Sequence, residues 1–374
     1  MNTLRHGSRA RLAALGVVAG GALLVAGCAA ANEAAPPAGG GAPAASDLSG
    51  QIAGAGASSQ QAAMQAWIAK FSSAAPDATV NYDPSGSGAG RDQFIAGGVQ
   101  FAGSDAALDD EELPLAQQRC GGADNVVQIP VYISPIAVVY KLDGVDDLKL
   151  APATIAKIFN RQITTWNDPA IAADNPGVQL PATPITPVNR SDESGTTENF
   201  TEYLAAAAGA DWPHEPNGDW PVQGGEAAQG TSGVVSAVQG GQGTIGYADE
   251  SQAGDLGKVA VGVGSEFVAP TPEAAAAVVE SSQRIEGKGK YNFAIELARD
   301  TTESGNYPIV LVSYQIACTT YADQAQAGVV HDFLSYVISE EGQQAAADAA
   351  GSAPITDAQR AQFKPAVDAI SAGS

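Results

Sequence analysis

Within one short run, Arg190-Ser191-Asp192-Glu193-Ser194-Gly195-Thr196, the chain gathers the groups that a small oxyanion needs. Phe200, Tyr203, Leu204 and Ala207 follow at spacings that draw one apolar stripe of a helix. Ser194 and Thr196 therefore fall at a helix start, where first-turn N–H groups are unpaired and partial positive charge collects. Gly195 lets another group approach the backbone. Arg190 adds a forked, permanently charged donor, and Asp192 stands where it can clamp that guanidinium or face the anion itself. The same residues also suit a capped surface helix with a local Arg–Asp pair.

Two further stretches repeat the pattern. Gly54-Ala55-Gly56-Ala57-Ser58-Ser59 precedes Met64, Trp67, Ile68 and Phe71 at helical spacing. Pro84-Ser85-Gly86-Ser87-Gly88-Ala89-Gly90-Arg91 leads into a short helix through Phe94 and Ile95. Neither is a nucleotide loop, because the Lys-Ser/Thr pair of a P-loop and the dinucleotide glycine spacing are both missing. Ser87 is not in a nucleophile elbow, since position 85 is serine where that pattern needs glycine. Val99 to Asp105 reads as a short strand that ends in an acid.

These loops need a frame to hold them. Thr79 to Tyr82 reads as a strand, Val126 to Tyr140 as a long apolar strand kinked at Pro130 and Pro135, Thr244 to Tyr247 as a strand after a glycine-rich stretch, and Tyr307 to Cys318 as another strand. Helical patterns fall at Ile155–Phe159, Pro272–Val279 and Phe333–Ile338, with a turn at 164–169. Helices and strands alternate throughout, which gives an α/β fold class. The chain is longer than one core usually encloses, so two lobes are expected, with the kinked strand crossing between them.

Arg5, Arg9 and Arg11 precede the apolar run from Leu12 to Val25, which is short for a membrane span and reads as a secretory signal. Residues 29 to about 46 are Ala, Pro and Gly with scarcely a large apolar side chain, a tether of about 25 Å mean reach. The formal net charge is −23, and loss of the three leader arginines makes it −26. Such a chain suits neither nucleic acid nor an anionic membrane surface, and it must hold any anion with local donors. The three cysteines are Cys28, Cys120 and Cys318. With Cys28 set aside at the leader's end, the other two, in an oxidising compartment, imply a disulfide.

Val25-Ala26-Gly27-Cys28 resembles the lipobox of bacterial lipoproteins, which implies a signal peptide over 1–27, a lipidated Cys28 and a tether over 28–46. Nearly the whole mature chain resembles the phosphate-binding lipoproteins of the high-affinity phosphate ABC importer, actinobacterial members especially. The residues that carry this are Gly54-Ala55-Gly56-Ala57-Ser58, Gly86-Ser87-Gly88-Ala89-Gly90, Ala102-Gly103-Ser104-Asp105, Thr165-Trp166-Asn167-Asp168-Pro169 and Arg190 to Thr196, in the family's order. The resemblance implies the type II periplasmic-binding-protein fold, two α/β lobes joined by two crossing strands. Lobe I would be 47–133 plus 306–374 and lobe II 134–305. It also implies dehydrated phosphate in the cleft, permease subunits as partners, and an extracytoplasmic position held at the outer face of the cell membrane by the lipid. No metal or other cofactor is implied.

By position, Ser58, Ser87, Ser194 and Thr196 would offer hydroxyls, and Ser59, Ser87, Gly195 and Thr196 backbone N–H groups. Arg190 would supply a charged pair, oriented by Asp192, and Asp105 would accept the proton of the bound phosphate. Ser59 departs from well-known members, which carry phenylalanine there. Phosphate at neutral pH keeps a proton and sulfate does not, so a buried carboxylate accepts from one and repels the other.

Two other classes fit parts of the sequence. A secreted serine-type hydrolase with Ser194 or Ser87 as nucleophile needs a base, and after the leader only His214 and His331 remain, one in a Pro-rich loop and one on a helix. A binding protein for sulfate or molybdate would set a fully deprotonated anion against Asp105. Histidines are too few for a zinc carrier.

Overall fold

The computed structural model describes residues 48–373. The leader, Cys28 and the tether lie outside the described residues. Among those described, no helix is long and apolar enough to cross a membrane.

The frame is one curled sheet of nine strands. On one side, Gly50–Gly56 runs parallel to both Ala78–Asp83 and Phe101–Ser104. On the other, Thr186–Arg190 runs parallel to Glu226–Ala228 and Thr244–Asp249. Between them lie two antiparallel strands, Val126–Lys141 and Val310–Cys318. The long strand changes partner midway: Val126 to Pro135 pairs with Val310–Cys318, and Ile136 to Lys141 pairs with Thr244–Asp249. Its prolines sit where a missing N–H costs least. Pro130 lies opposite Tyr314, where the register shifts by a bulge, and Pro135 ends the first ladder. Every residue from Val126 to Tyr140 is buried, so helices and loops cover both faces, which explains the unbroken apolar run in the sequence.

Helices Gln61–Ala74 and Ser87–Ile95 pack on the first half of the sheet, Gly195–Ala208 and Gly230–Gly240 on the second. Trp67 is fully buried and its indole N–H donates to the Gly342 carbonyl at 2.7 Å, tying the first helix to the late helix Glu340–Ala350. Phe71 meets Phe333 edge to face at 5.3 Å. In the second half Phe200 stacks on Tyr247 at 4.5 Å between ring centres. The glycine-rich stretch after Gly224 does more than connect, since Val234, Val235 and Val238 make 230–240 a helix with a buried apolar face. A further departure concerns 134–305, because Asn292 bridges to Gln128 and Phe293 packs on Phe363 at 5.0 Å. That short piece lies with the first half.

Cys120, which ends Glu112–Cys120, and Cys318, which ends Val310–Cys318, stand with Cα atoms 5.2 Å apart and sulfurs at 1.98 Å.

Helix 87–95 lies directly on the first strand. A Cβ on Gly90 would meet Gly56 Cα at 2.4 Å and the Ala55 carbonyl oxygen at 2.6 Å, both backbone atoms. On an exposed helix Gly→Ala gains about 1 kcal/mol. Here overpacking of about 1–3 kcal/mol or more opposes it, so Gly90→Ala should lower the melting temperature. A higher melting temperature would show that the helix can move off the strand.

Candidate functional site

Four helix starts converge where the two halves of the sheet meet. Ser58 and Ser59 lie just ahead of helix 61–74, and Ser87 opens helix 87–95. Ser194 caps helix 195–208, its Oγ accepting from the Thr197 N–H at 3.3 Å. The fourth is the start of helix 230–240, whose Thr231 N–H donates to Ser58 Oγ at 3.1 Å while the two hydroxyl oxygens also stand 3.1 Å apart. Gly195 is wedged so tightly that a Cβ would lie 2.8 Å from both Asp105 Cβ and Ser87 Oγ, so only glycine fits.

Asp105 is the focus. It is buried, and Ser59 Oγ donates to both of its carboxylate oxygens, at 2.7 and 2.8 Å. Thr196 Oγ1 donates to Oδ2 at 2.9 Å. The Asp105 backbone N–H donates to Ser87 Oγ at 3.1 Å, and the Asp105 carbonyl accepts from Asn199 Nδ2 at 2.6 Å. Residues from both halves thus close on one acid. Burial pushes the Asp105 carboxyl above its ordinary value, against the pull of the Ser59, Ser313 and Thr196 hydroxyls and the Arg190 charge.

Arg190 stands at the end of strand 186–190 with its backbone N–H on the Tyr247 hydroxyl at 3.2 Å, and that hydroxyl also meets Thr197 Oγ1 at 2.8 Å. Its side chain is forked onto Asp192, Nε to Oδ1 at 2.8 Å and Nη2 to Oδ2. Asp192 Oδ1 accepts the Gly230 N–H as well, at 3.0 Å. Burial opposes ionisation of Asp192, but the Arg190 hydrogen bonds and charge outweigh it and hold the carboxyl below its usual range. Gly230 and Thr231 therefore link the Arg190–Asp192 pair to Ser58. The nine residues singled out from the sequence lie around this one junction, buried except for the half-buried Asp192.

Contacts across the junction hold the halves together. Gln252 Nε2 donates to the carbonyls of Ser58 and Ser59, at 2.9 and 2.8 Å. Arg91, buried on helix 87–95, donates to Glu112 at 2.7 Å, to Ser104 Oγ at 3.0 Å, and across the junction to Glu193 at 3.0 Å. Sequence reading missed Gln252, Thr231, Tyr247 and Asn199. Of these only Thr231 left a local signal, a Gly-Thr-Ser-Gly start before the valine stripe of 234–238.

His214 and His331 lie in other contacts. His214 Nε2 meets Asn160 Oδ1 at 3.1 Å and its ring packs on Trp212, while His331 pairs with Asp332. Among the described residues no histidine hydrogen-bonds to Ser87 or Ser194.

Residues 41–341 match the model of the PBP superfamily domain. The chain is 37% identical to "Phosphate-binding protein PstS 3" of Mycobacterium leprae over 84% of this chain and 85% of that one. It is 36% identical to "Phosphate-binding protein PstS 3" of Mycobacterium tuberculosis over 96% and 98%. Among solved structures, a periplasmic phosphate-binding protein named PfluDING, bound with phosphate, superposes with a TM-score of 0.68 at 22% identity, over 84% of this chain and 93% of that one. A putative phosphate ABC transporter substrate-binding protein from Clostridium perfringens, with bound phosphate, does so at 0.57 and 20%, over 80% and 98%. Both structures share the fold.

A second buried acid lies beside the crossing strands. Asp249 accepts from the Tyr132 hydroxyl at 3.1 Å and from the Ser251 N–H at 3.0 Å, and burial pushes its carboxyl up to about 7. Unfolded, it titrates near about 4. The folded state thus holds a proton that the unfolded chain releases, so this stability is full below about pH 4 and is lost as pH rises to about 7. Asp249→Asn cannot titrate. Its melting temperature relative to the unaltered protein should therefore be higher at pH 8 than at pH 4.5, and a flat difference would contradict the assignment.

Proposed function

The chain belongs to the PBP superfamily and, within it, to the PstS phosphate-binding proteins, and on that premise we propose that it captures inorganic phosphate between two lobes and delivers it to the permease of an ABC importer. The observation that carries this is the buried Asp105 with helix starts and hydroxyls from both halves drawn around it. In this reading Ser58, Ser87, Ser194 and Thr196 offer hydroxyls, and Ser59, Ser87, Gly195 and Thr196 offer backbone N–H groups. Arg190, steered by Asp192, adds a charged donor. Asp105 accepts the proton that phosphate retains and repels an anion that has none. With the overall charge strongly negative, the donor set must work locally, which favours dipoles and hydroxyls over a basic patch.

Lobe I is about 47–133 and 306–374 and lobe II about 134–305, with the piece around 291–293 carried on lobe I. Strands 126–141 and 310–318 are the crossing pair, and the partner switch at Pro135 and Ile136 is where the lobes would swing. The Gln252 and Arg91 contacts support a closed arrangement in which water is excluded from the seat.

Outside the cleft, the reading has the leader removed before Cys28, the cysteine acylated, and the domain held on its tether at the outer face of the membrane. Cys120 and Cys318 form a disulfide that ties the C-terminal segment to the N-terminal half across the whole of lobe II. Intact-mass measurement of the mature protein checks both. It should find acyl chains on an N-terminal Cys28 and a mass two hydrogens short of the dithiol. An unmodified leader or two free thiols would overturn the respective statement.

Isothermal titration with phosphate, sulfate and molybdate tests the function, and heat with phosphate alone is the expected result. In Asp105→Asn the amide can donate as well as accept, so rejection of sulfate should weaken on the order of a hundredfold, about 3 kcal/mol. Phosphate affinity should fall by less. Unchanged sulfate rejection would remove Asp105 from the selective role.

A further inference from the structure

The geometry points to Ser59 as a positioning residue that sets specificity, its hydroxyl holding the Asp105 carboxylate as an acceptor so that the seat takes an oxyanion bearing a proton over one bearing none. This rests on the phosphate reading above. It gives the Ser59 side chain a task separate from that of its backbone N–H.

Ser59 is fully buried, and its Oγ lies 2.7 and 2.8 Å from the two oxygens of Asp105. A hydroxyl has one proton to give, so it is shared between the two oxygens and fixes the carboxylate plane. Thr196 donates to Oδ2 from the other half. An ionised carboxylate has about four lone-pair positions, so two hydroxyl donors leave room for the proton of a bound anion. Donated to an ionised carboxylate these hydrogen bonds are charge-assisted, which favours the carboxylate over the neutral acid.

With Ser59 silent, the carboxylate loses its two-oxygen donor and keeps the Thr196 contact and the pull of Ser313 and Arg190, while burial favours the neutral acid. A neutral Asp105 offers a donor to the anion. Sulfate then meets a hydrogen bond where it would otherwise meet an unshared negative charge, and discrimination is lost.

The other groups around Asp105 act in both directions. Arg190, from strand 186–190, and the Ser313 hydroxyl, from strand 310–318, favour the ionised form. Asp249, at the end of strand 244–249, disfavours it only where its own carboxyl is ionised, above about pH 7, and the Tyr82 hydroxyl, from strand 78–83, faces the same field. Glu198, on helix 195–208, lines the same cleft as Asp105 and is pushed up to about 7 by burial. Ser59 tips this balance because it alone touches both carboxylate oxygens.

Competition titration of sulfate against phosphate between pH 5 and pH 8.5 tests the inference. In the unaltered protein sulfate should compete only at the acid end. In Ser59→Ala the onset should move up by about one pH unit, and Ser59→Thr, which keeps the hydroxyl, should restore it. In an Asp105→Asn background Ser59→Ala should add no further change in sulfate competition. An onset that does not move, a Thr variant that fails to restore it, or a shift that persists in the Asp105→Asn background would overturn the inference. If the unaltered protein takes no phosphate, the functional reading fails and this inference with it. If it takes phosphate and rejects sulfate while Ser59→Ala titrates unchanged, only the inference fails.

Discussion

A carboxylate removed from water must find donors nearby or take up a proton, and the arrangement around Asp105 is built on that constraint. Hydrogen bonds to its carboxylate come from the neutral hydroxyls of Ser59 and Thr196, while the Arg190 guanidinium is forked onto Asp192. A lysine or arginine forked onto Asp105 would supply a stronger donor. It would also consume the acceptor capacity that a protonated anion needs, and it would draw any anion regardless of protonation. Neutral donors keep the acid available, and they tolerate a chain whose net charge opposes anion binding.

The fold follows from bringing those donors together. Ser59, Ser87 and Asp105 come from the first half of the sheet, Arg190, Gly195 and Thr196 from the second, and within the sheet the two central strands join the halves. The long strand must therefore be buried on both faces, change partner midway and accommodate two prolines, and the bulge opposite Pro130 lets it do so. Gly195 is forced to be glycine because closure brings its backbone against Asp105 and Ser87. Arg91 with Glu193, and Gln252 with the Ser58 and Ser59 carbonyls, are polar contacts across the junction, so in the proposed hinge motion they can be exchanged for water. An apolar contact of equal reach would resist reopening.

Much of this frame was legible in sequence, because Gly/Ser loops ahead of apolar stripes read directly as helix starts. Helices do begin at Gln61, Ser87 and Gly195. Helix 230–240 was hidden by its glycines, whose low helix propensity is overridden by burial of Val234, Val235 and Val238. Thr231 was missed with it. Gln252 and Asn199 left no local mark at all, since their contacts lie 193 and 94 residues away in the chain. The Ser59 side chain was legible as a departure from phenylalanine, but its direction depends on where the Phe101–Ser104 strand delivers Asp105. The docking of Asn292 and Phe293 on the first half likewise needs the register of Gln128, which pattern alone cannot supply.

In the proposed seat one anion is shared between helix starts from both halves and a single acid. A crystal structure of the protein grown with phosphate tests it most directly. One phosphate is expected within hydrogen-bond distance of the Gly195 and Thr196 N–H groups and the Arg190 guanidinium, with one oxygen on the Asp105 carboxylate. A phosphate seated elsewhere, or one whose oxygens all avoid Asp105, would contradict it.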